Sequence, residues 1–226
     1  MQPCPELDVR TIPALRRHPK ILDAFDALEP GGAFVLLNDH LPRPLLGQLQ
    51  AERAGRFDWN VLEAGPVRYR VEIRRRTTDA PRTVGELLET DHRRLDAMVP
   101  EVLDAAAAGE WAAASARFAE LRCGLERHID IEEQVLFPVF EEATGITRGP
   151  TVVMRGEHVN IRAAMTSIAQ ALADHDGQGV DDGFQDLERT LRPHNFKEER
   201  VLYPTTDHVV GDDAARAALV ARMQAF

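Results

Sequence analysis

The stretch His128-Ile129-Asp130-Ile131-Glu132-Glu133-Gln134-Val135-Leu136-Phe137-Pro138 occurs a second time as His194-Asn195-Phe196-Lys197-Glu198-Glu199-Arg200-Val201-Leu202-Tyr203-Pro204. His, both Glu, Val, Leu and Pro coincide, and Phe137 is answered by Tyr203. A further histidine precedes each copy at one distance. His92 lies 36 residues before His128, and His158 lies 36 before His194. On an α-helix, residues four apart project to the same side. His128 therefore faces with Glu132, and His194 with Glu198. Glu133 and Glu199 lie about 140° round the helix from those histidines and are expected to point outward.

Working outward, the flanking sequence keeps a helical period. Amphipathic helices are expected over roughly residues 83–107, 111–142, 151–173 and 183–207. Each candidate histidine falls on an apolar stripe: Leu88, His92 and Leu95; Leu125, His128 and Val135; Val153, Met154 and His158; Leu191, His194 and Val201. Gly109 ends the first helix, 144–150 is a loop, and the polar, glycine-containing stretch His175–Asp182 is another. Short connections of this kind make an antiparallel four-helix bundle. A last short helix over 213–226, with Leu219, Val220 and Met223, packs outside or offers a dimer contact. Cys123 reads as a small core residue, and His175 and His208 as surface residues.

A bundle core does not accept imidazoles and carboxylates unless they are paired or bind a metal. His92, His128, His158 and His194 with Glu132 and Glu198 supply such groups from all four helices at one level. The count suits two metals, each taking two nitrogens, with both carboxylates bridging. A bridging oxo or hydroxo group and an open position would complete the shells. Mixed nitrogen and oxygen donors without thiolate favour iron, and next manganese, over structural zinc. Asp91 and Glu157 each stand just before a candidate ligand, and both read as outward-facing helix charges.

Residues 1–76 read differently. Short alternating or apolar runs at 6–10, 33–37, 57–62 and 67–73 are expected strands, the last two joined at Gly65-Pro66. Helical spacing is expected over 18–28 and through Leu45, Leu46 and Leu49. The order β-α-β-α-β-β is a small α+β domain, and the polar run 77–83 is a linker to the bundle at 84–226. His18 and His40 are candidates for a ligand or metal site, against the plainer reading of helix-start and turn histidines bonded to backbone.

Composition narrows the function. The net charge of −10 resides in the bundle half, which excludes a nucleic-acid surface. The run Arg74-Arg75-Arg76 is too short to reverse this and reads as the solvated end of a strand. No apolar run reaches the roughly 20 residues of a membrane span. The N-terminus lacks the build of a secretory signal, and the 2 cysteines, Cys4 and Cys123, make no disulfide framework. A cytoplasmic location is expected.

The repeated motif with its upstream histidines resembles the hemerythrin family in its HHE cation-binding branch, over residues 83–207. The resemblance implies a non-haem di-iron centre in a four-helix bundle. Oxygen-carrying hemerythrins have a fifth histidine where Arg162 stands here, and end on His-x-x-x-x-Asp where this chain has His194-x-x-x-Glu198. The four-His, two-Glu set is similar to bacterial di-iron proteins that repair iron–sulphur centres, although those carry a different, cysteine-bearing N-terminal domain. Residues 6–75 resemble a domain family of unknown function with a TusA-like fold, through Leu7-Asp8-Val9-Arg10, Arg17-His18-Pro19, Leu28-Glu29-Pro30-Gly31, Asn38-Asp39-His40 and Gly65-Pro66. The sulphur carriers place Cys-Pro where His18-Pro19 stands, so the resemblance implies no persulfide chemistry here.

Two function classes follow. One is a di-iron protein handling nitric oxide, dioxygen or peroxide in nitrosative or oxidative stress. The other is a non-enzymatic sensor or iron carrier, with the N-terminal domain as output or docking module for a partner protein or a second copy. A vestigial site is disfavoured, because both copies keep every ligand type.

Overall fold

The computed structural model describes residues 4–53, 55–65, 68–78 and 80–226, with no side-chain description at 50 and 51. Pro66 and Val67, expected to turn into and begin the last strand, lie outside the described residues, as do Asp79 of the linker and the first three residues. The chain divides into two compact units, 1–81 and 82–226.

The first unit runs β1 (Glu6–Asp8), α1 (Ala14–Asp26), β2 (Ala33–Asn38), α2 (Arg43–Glu52), β3 (Phe57–Ala64) and β4 (Tyr69–Arg75). The sheet order is β1-β2-β4-β3. β1 is parallel to β2, a pairing that needs a crossover, and α1 supplies it. β4 is antiparallel to both β2 and β3. Phe34 and Leu36 of β2 and Val71 and Ile73 of β4 alternate onto one face and pack with Ile21 and Phe25 of α1 and Leu45 and Leu49 of α2. The basic run is only partly solvated: Arg75 donates to Leu28 O, and the Arg76 side chain, 8% exposed, pairs with Asp58 at 2.8 Å.

The second unit has four long rods. The first is α3 (Val84–Ala107). The second is α4 (Trp111–Ile131), a π-helical turn at Glu132–Leu136, and α5 (Phe137–Thr144). The third is α6 (Pro150–Ala173). The fourth is α7 (Gly177–Lys197), a π turn at Glu198–Leu202, and α8 (Tyr203–Val209). Thr83 caps α3 by accepting from Glu86 N at 3.0 Å. Gly109, at φ 74°, ends it in the left-handed conformation that suits glycine.

The expected loop His175–Asp182 is mostly helix. Asp176 caps α7 by accepting from Gly179 N at 3.1 Å, and Val180 is fully buried. Gly183 is in α7 for closeness: a Cβ there would lie 2.7 Å from Ile168 Cγ1 of α6. His175 and His208 are exposed, and His175 stacks on Trp111. Cys123 is exposed rather than core, because it lies two residues, about 200°, from both Leu121 and Leu125 of the stripe. Val153 and Val201 are also exposed, at 50% and 54%.

Two apolar clusters fill the bundle. One holds Leu95, Phe118, Leu121, Leu125, Ile161 and Leu187. The other holds Leu88, Phe137, Phe140, Met154, Leu202 and Tyr203. The last helix, α9 (Asp213–Gln224), lays Leu219 and Met223 into this second cluster, so the face offered as a dimer contact is covered within the chain. No helix among the described residues is long and apolar enough to cross a membrane.

Candidate metal centre

Along each rod, one apolar cluster gives way to the other across a short polar level. His92, His128, His158, His194, Glu132 and Glu198 all meet there, none more than 5% exposed. His92 Nε2 and His128 Nε2 are 3.0 Å apart, and His158 Nε2 and His194 Nε2 are 3.2 Å apart. Each carboxylate spans the two pairs. Glu132 places Oε1 3.7 Å from His128 Nε2 and Oε2 3.3 Å from His158 Nε2. Glu198 places Oε2 3.6 Å from His92 Nε2 and Oε1 3.1 Å from His194 Nε2.

The outer ring nitrogens are held by carboxylates, and here the expectation of outward charges is corrected. Asp91 of α3 accepts from His128 Nδ1 at 2.9 Å, and Glu133 from His158 Nδ1 at 2.7 Å. Glu157 of α6 accepts from His194 Nδ1 at 2.9 Å, and Glu199 from His92 Nδ1 at 2.9 Å. Each rod thus hands a carboxylate to the histidine of the next rod, and the ring closes round the bundle. These four acids point away from the histidine on their own helix, as the 100° rule requires, and across the seam to a neighbour's. Cations hold several of them from outside: Arg94 on Asp91, Arg162 on Glu133 and Lys197 on Glu157. The Asp91 carboxyl is lowered, burial being outweighed by His128 and Arg94. The Glu157 carboxyl is lowered by Lys197 and His194 against the opposing effect of burial. His92 itself, followed by its charge, lowers Glu199.

A carboxylate only accepts, so each Nδ1 is the donor, and an imidazole protonated there alone turns the lone pair of Nε2 inward. Two such lone pairs 3.0 Å apart repel unless a proton or a metal ion lies between them. Two nitrogens about 2.1 Å from one ion and at right angles are about 3.0 Å apart, which matches both pairs. Glu132 Oε2 and Glu198 Oε1 are buried without a hydrogen bond, a cost that a bound cation removes. Burial opposes charge on His194, but Glu198 and Glu157 outweigh it and raise its pKa to about 9. Burial and the charge of Glu132 raise the Glu198 carboxyl. In Glu132 burial is outweighed by His128, His158 and the Tyr203 hydroxyl, and its carboxyl is lowered. The level is short of positive charge, and its donors fit a pair of metal ions.

Periodicity alone does not reach Tyr203. On an α-helix it would lie 140° from Glu198. The π turn bonds Tyr203 N–H to Glu198 O, five residues back, and so stacks the ring over that carboxylate. The same turn bonds Phe137 N–H to Glu132 O. Tyr203 is fully buried and donates to Glu132 Oε1 at 2.6 Å, with Glu198 Oε2 at 3.1 Å. Burial and the charges of both glutamates hold its phenol well above the ordinary value, so it stays a donor. The signal in the sequence was Tyr203 standing where the other copy has Phe137.

In the N-terminal unit, His18 and His40 line one cavity of about 150 Å³ with Arg17 and Asn38. Their ring partners are side chains rather than backbone: Gln48 Oε1 at 3.0 Å for His18, and Asp39 Oδ1 at 2.5 Å for His40.

The model of an uncharacterized conserved protein family (DUF2249) matches residues 6–75. Comparison with curated proteins and with solved structures finds no match. The hemerythrin HHE cation binding domain model matches residues 83–206, more than half of the chain, and spans all six converging side chains. The chain belongs to the hemerythrin HHE cation-binding family.

Proposed function

We propose that the bundle is a non-haem di-iron centre that handles a small uncharged or weakly charged oxidant: nitric oxide, dioxygen or peroxide. The observation that carries this reading is the pair of imidazole pairs joined by two carboxylates, each with one oxygen toward either pair. His92 and His128 would hold one ion, His158 and His194 the other, and Glu132 and Glu198 would bridge. Iron bound there supplies one-electron redox steps and an open coordination position. The protein fixes the imidazole tautomers through the carboxylate ring and excludes water with the two apolar clusters. A cavity of about 20 Å³ adjoins His92, His128 and His194, walled by Leu95, Leu125 and Ile161. That volume admits one or two small molecules and nothing larger. It shares Leu187, Leu191 and Asn195 with a surface groove lined by α3 and α7, and these side chains would form the gate of the proposed way in.

Burial of all six groups favours retention of the metal over ready donation of it. A stress-response role in detoxifying these molecules, or in restoring iron–sulphur centres, follows from the same chemistry. The test is anaerobic reconstitution with ferrous iron, followed by nitric oxide and, separately, peroxide. Catalytic consumption supports an enzyme. Reversible stoichiometric binding points to a sensor. No spectral response to either of these, or to dioxygen, refutes the reading.

A further inference from the structure

We infer that the two metal positions fill in order, the His158/His194 position first, and that Tyr203 sets that order. The inference rests on the di-iron reading above. The positions draw on the same ligand types but are not equivalent. His158 and His194 face Glu132 Oε2 at 3.3 Å and Glu198 Oε1 at 3.1 Å, and these are the two buried oxygens that carry no hydrogen bond. A cation takes them without displacing a hydroxyl. His92 and His128 face the other two oxygens, Glu198 Oε2 at 3.6 Å and Glu132 Oε1 at 3.7 Å. Tyr203 sits on both, and its hydroxyl oxygen is also 3.4 Å from His92 Nε2.

A cation at the His92/His128 position must therefore compete with the Tyr203 hydroxyl for Glu132 Oε1 and Glu198 Oε2. No hydroxyl competes at the other position. The corresponding residue, Phe137, stacks on His158 at 5.8 Å between ring centroids and has no hydroxyl. A hydrogen bond to a charged group in such surroundings corresponds to about 10- to 100-fold in an equilibrium constant. At limiting metal the chain then rests with one ion held and the second position closed by Tyr203. The binuclear centre is completed only when metal is plentiful.

The test is stepwise titration of the metal-free full chain with Co(II), followed by absorption and calorimetry, with circular dichroism to check the fold of each variant. The wild type is expected to show two steps separated by about tenfold or more. Tyr203→Phe is expected to tighten the second step and bring the two together. His158→Ala should remove the tight step, and His92→Ala only the weak one. A single unresolved pair of equal steps in the wild type overturns the ordering. So does Tyr203→Phe with an unchanged second step, or with a weaker one, which would make Tyr203 a ligand. Uptake of neither Co(II) nor Fe(II) would instead count against the di-iron reading itself.

Discussion

Replacing Asp91 by alanine removes no residue that would touch metal, yet it should weaken metal binding. Asp91 Oδ2 accepts from His128 Nδ1 at 2.9 Å, and its Oδ1 accepts from Arg94 Nε at 2.8 Å. The side chain is only 16% exposed, so water does not freely replace it. Removal frees the His128 ring to rotate and to change tautomer, and takes away a charge that strengthens its Nε2 as a donor. Loss of such an outer partner lowers metal affinity by about 10- to 100-fold, or about 1.4–2.7 kcal/mol. A charge-assisted hydrogen bond, at about 1.5–3 kcal/mol, gives the same range. The assay is competition against a chromophoric chelator under anaerobic conditions. Asp186→Ala is the control, since that carboxylate is 62% exposed and, among the described residues, its ion pair is with Arg189. Asp91→Asn should lie between the two, keeping an acceptor without the charge. If Asp91→Ala binds metal as tightly as Asp186→Ala with its fold intact, the carboxylate ring is packing and does not hold the histidines in place.

Other consequences are open to measurement. Burial, with the charge of Glu199 adding to it, raises the Glu89 carboxyl to about 7. The folded state then keeps a proton that the unfolded state loses above its own carboxylate pKa, and stability falls as pH rises toward 7. Glu89→Gln should change thermal stability little at acid pH and raise it by at most about 3 kcal/mol at pH 8; equal effects at both pH values contradict the shift. In α6 an added Cβ at Gly156 meets nothing within 4 Å, so Gly156→Ala should stabilise the bundle to urea by about 0.5–1 kcal/mol. In α7, Gly183→Ala should fail to do so because of Ile168, and a matching gain there would refute the close approach of the two helices. Leu191→Trp should slow the reaction of the iron-loaded protein with nitric oxide at unchanged iron content, and an unchanged rate would place the way in elsewhere.

The repeat, the helices and the six converging side chains were legible because an α-helix converts spacing into direction at 100° per residue. Four histidines on four apolar stripes had one interior to share. The N-terminal order of strands and helices was legible for a similar reason, since Val71 lies on an alternating run and Leu36 on a compact apolar one. What escaped needed a neighbour. Asp91, Glu133, Glu157 and Glu199 do face away from their own helix's stripe, and only the seam with the next rod shows that another histidine waits there. Tyr203 escaped because the π turn shifts the phase and brings its ring in. The start of α7 was hidden by Gly177 and Gly179, which read as breakers, although Asp176 before them is a strong cap.

The measurement that bears most directly on the account is the metal content of the bundle after anaerobic reconstitution with ferrous iron, compared between wild type and Glu132→Ala. Two irons per chain in the wild type, with the second lost or weakened in the variant, is the expected result. One metal per chain at saturation, or two that Glu132→Ala leaves undisturbed, would contradict a carboxylate-bridged pair.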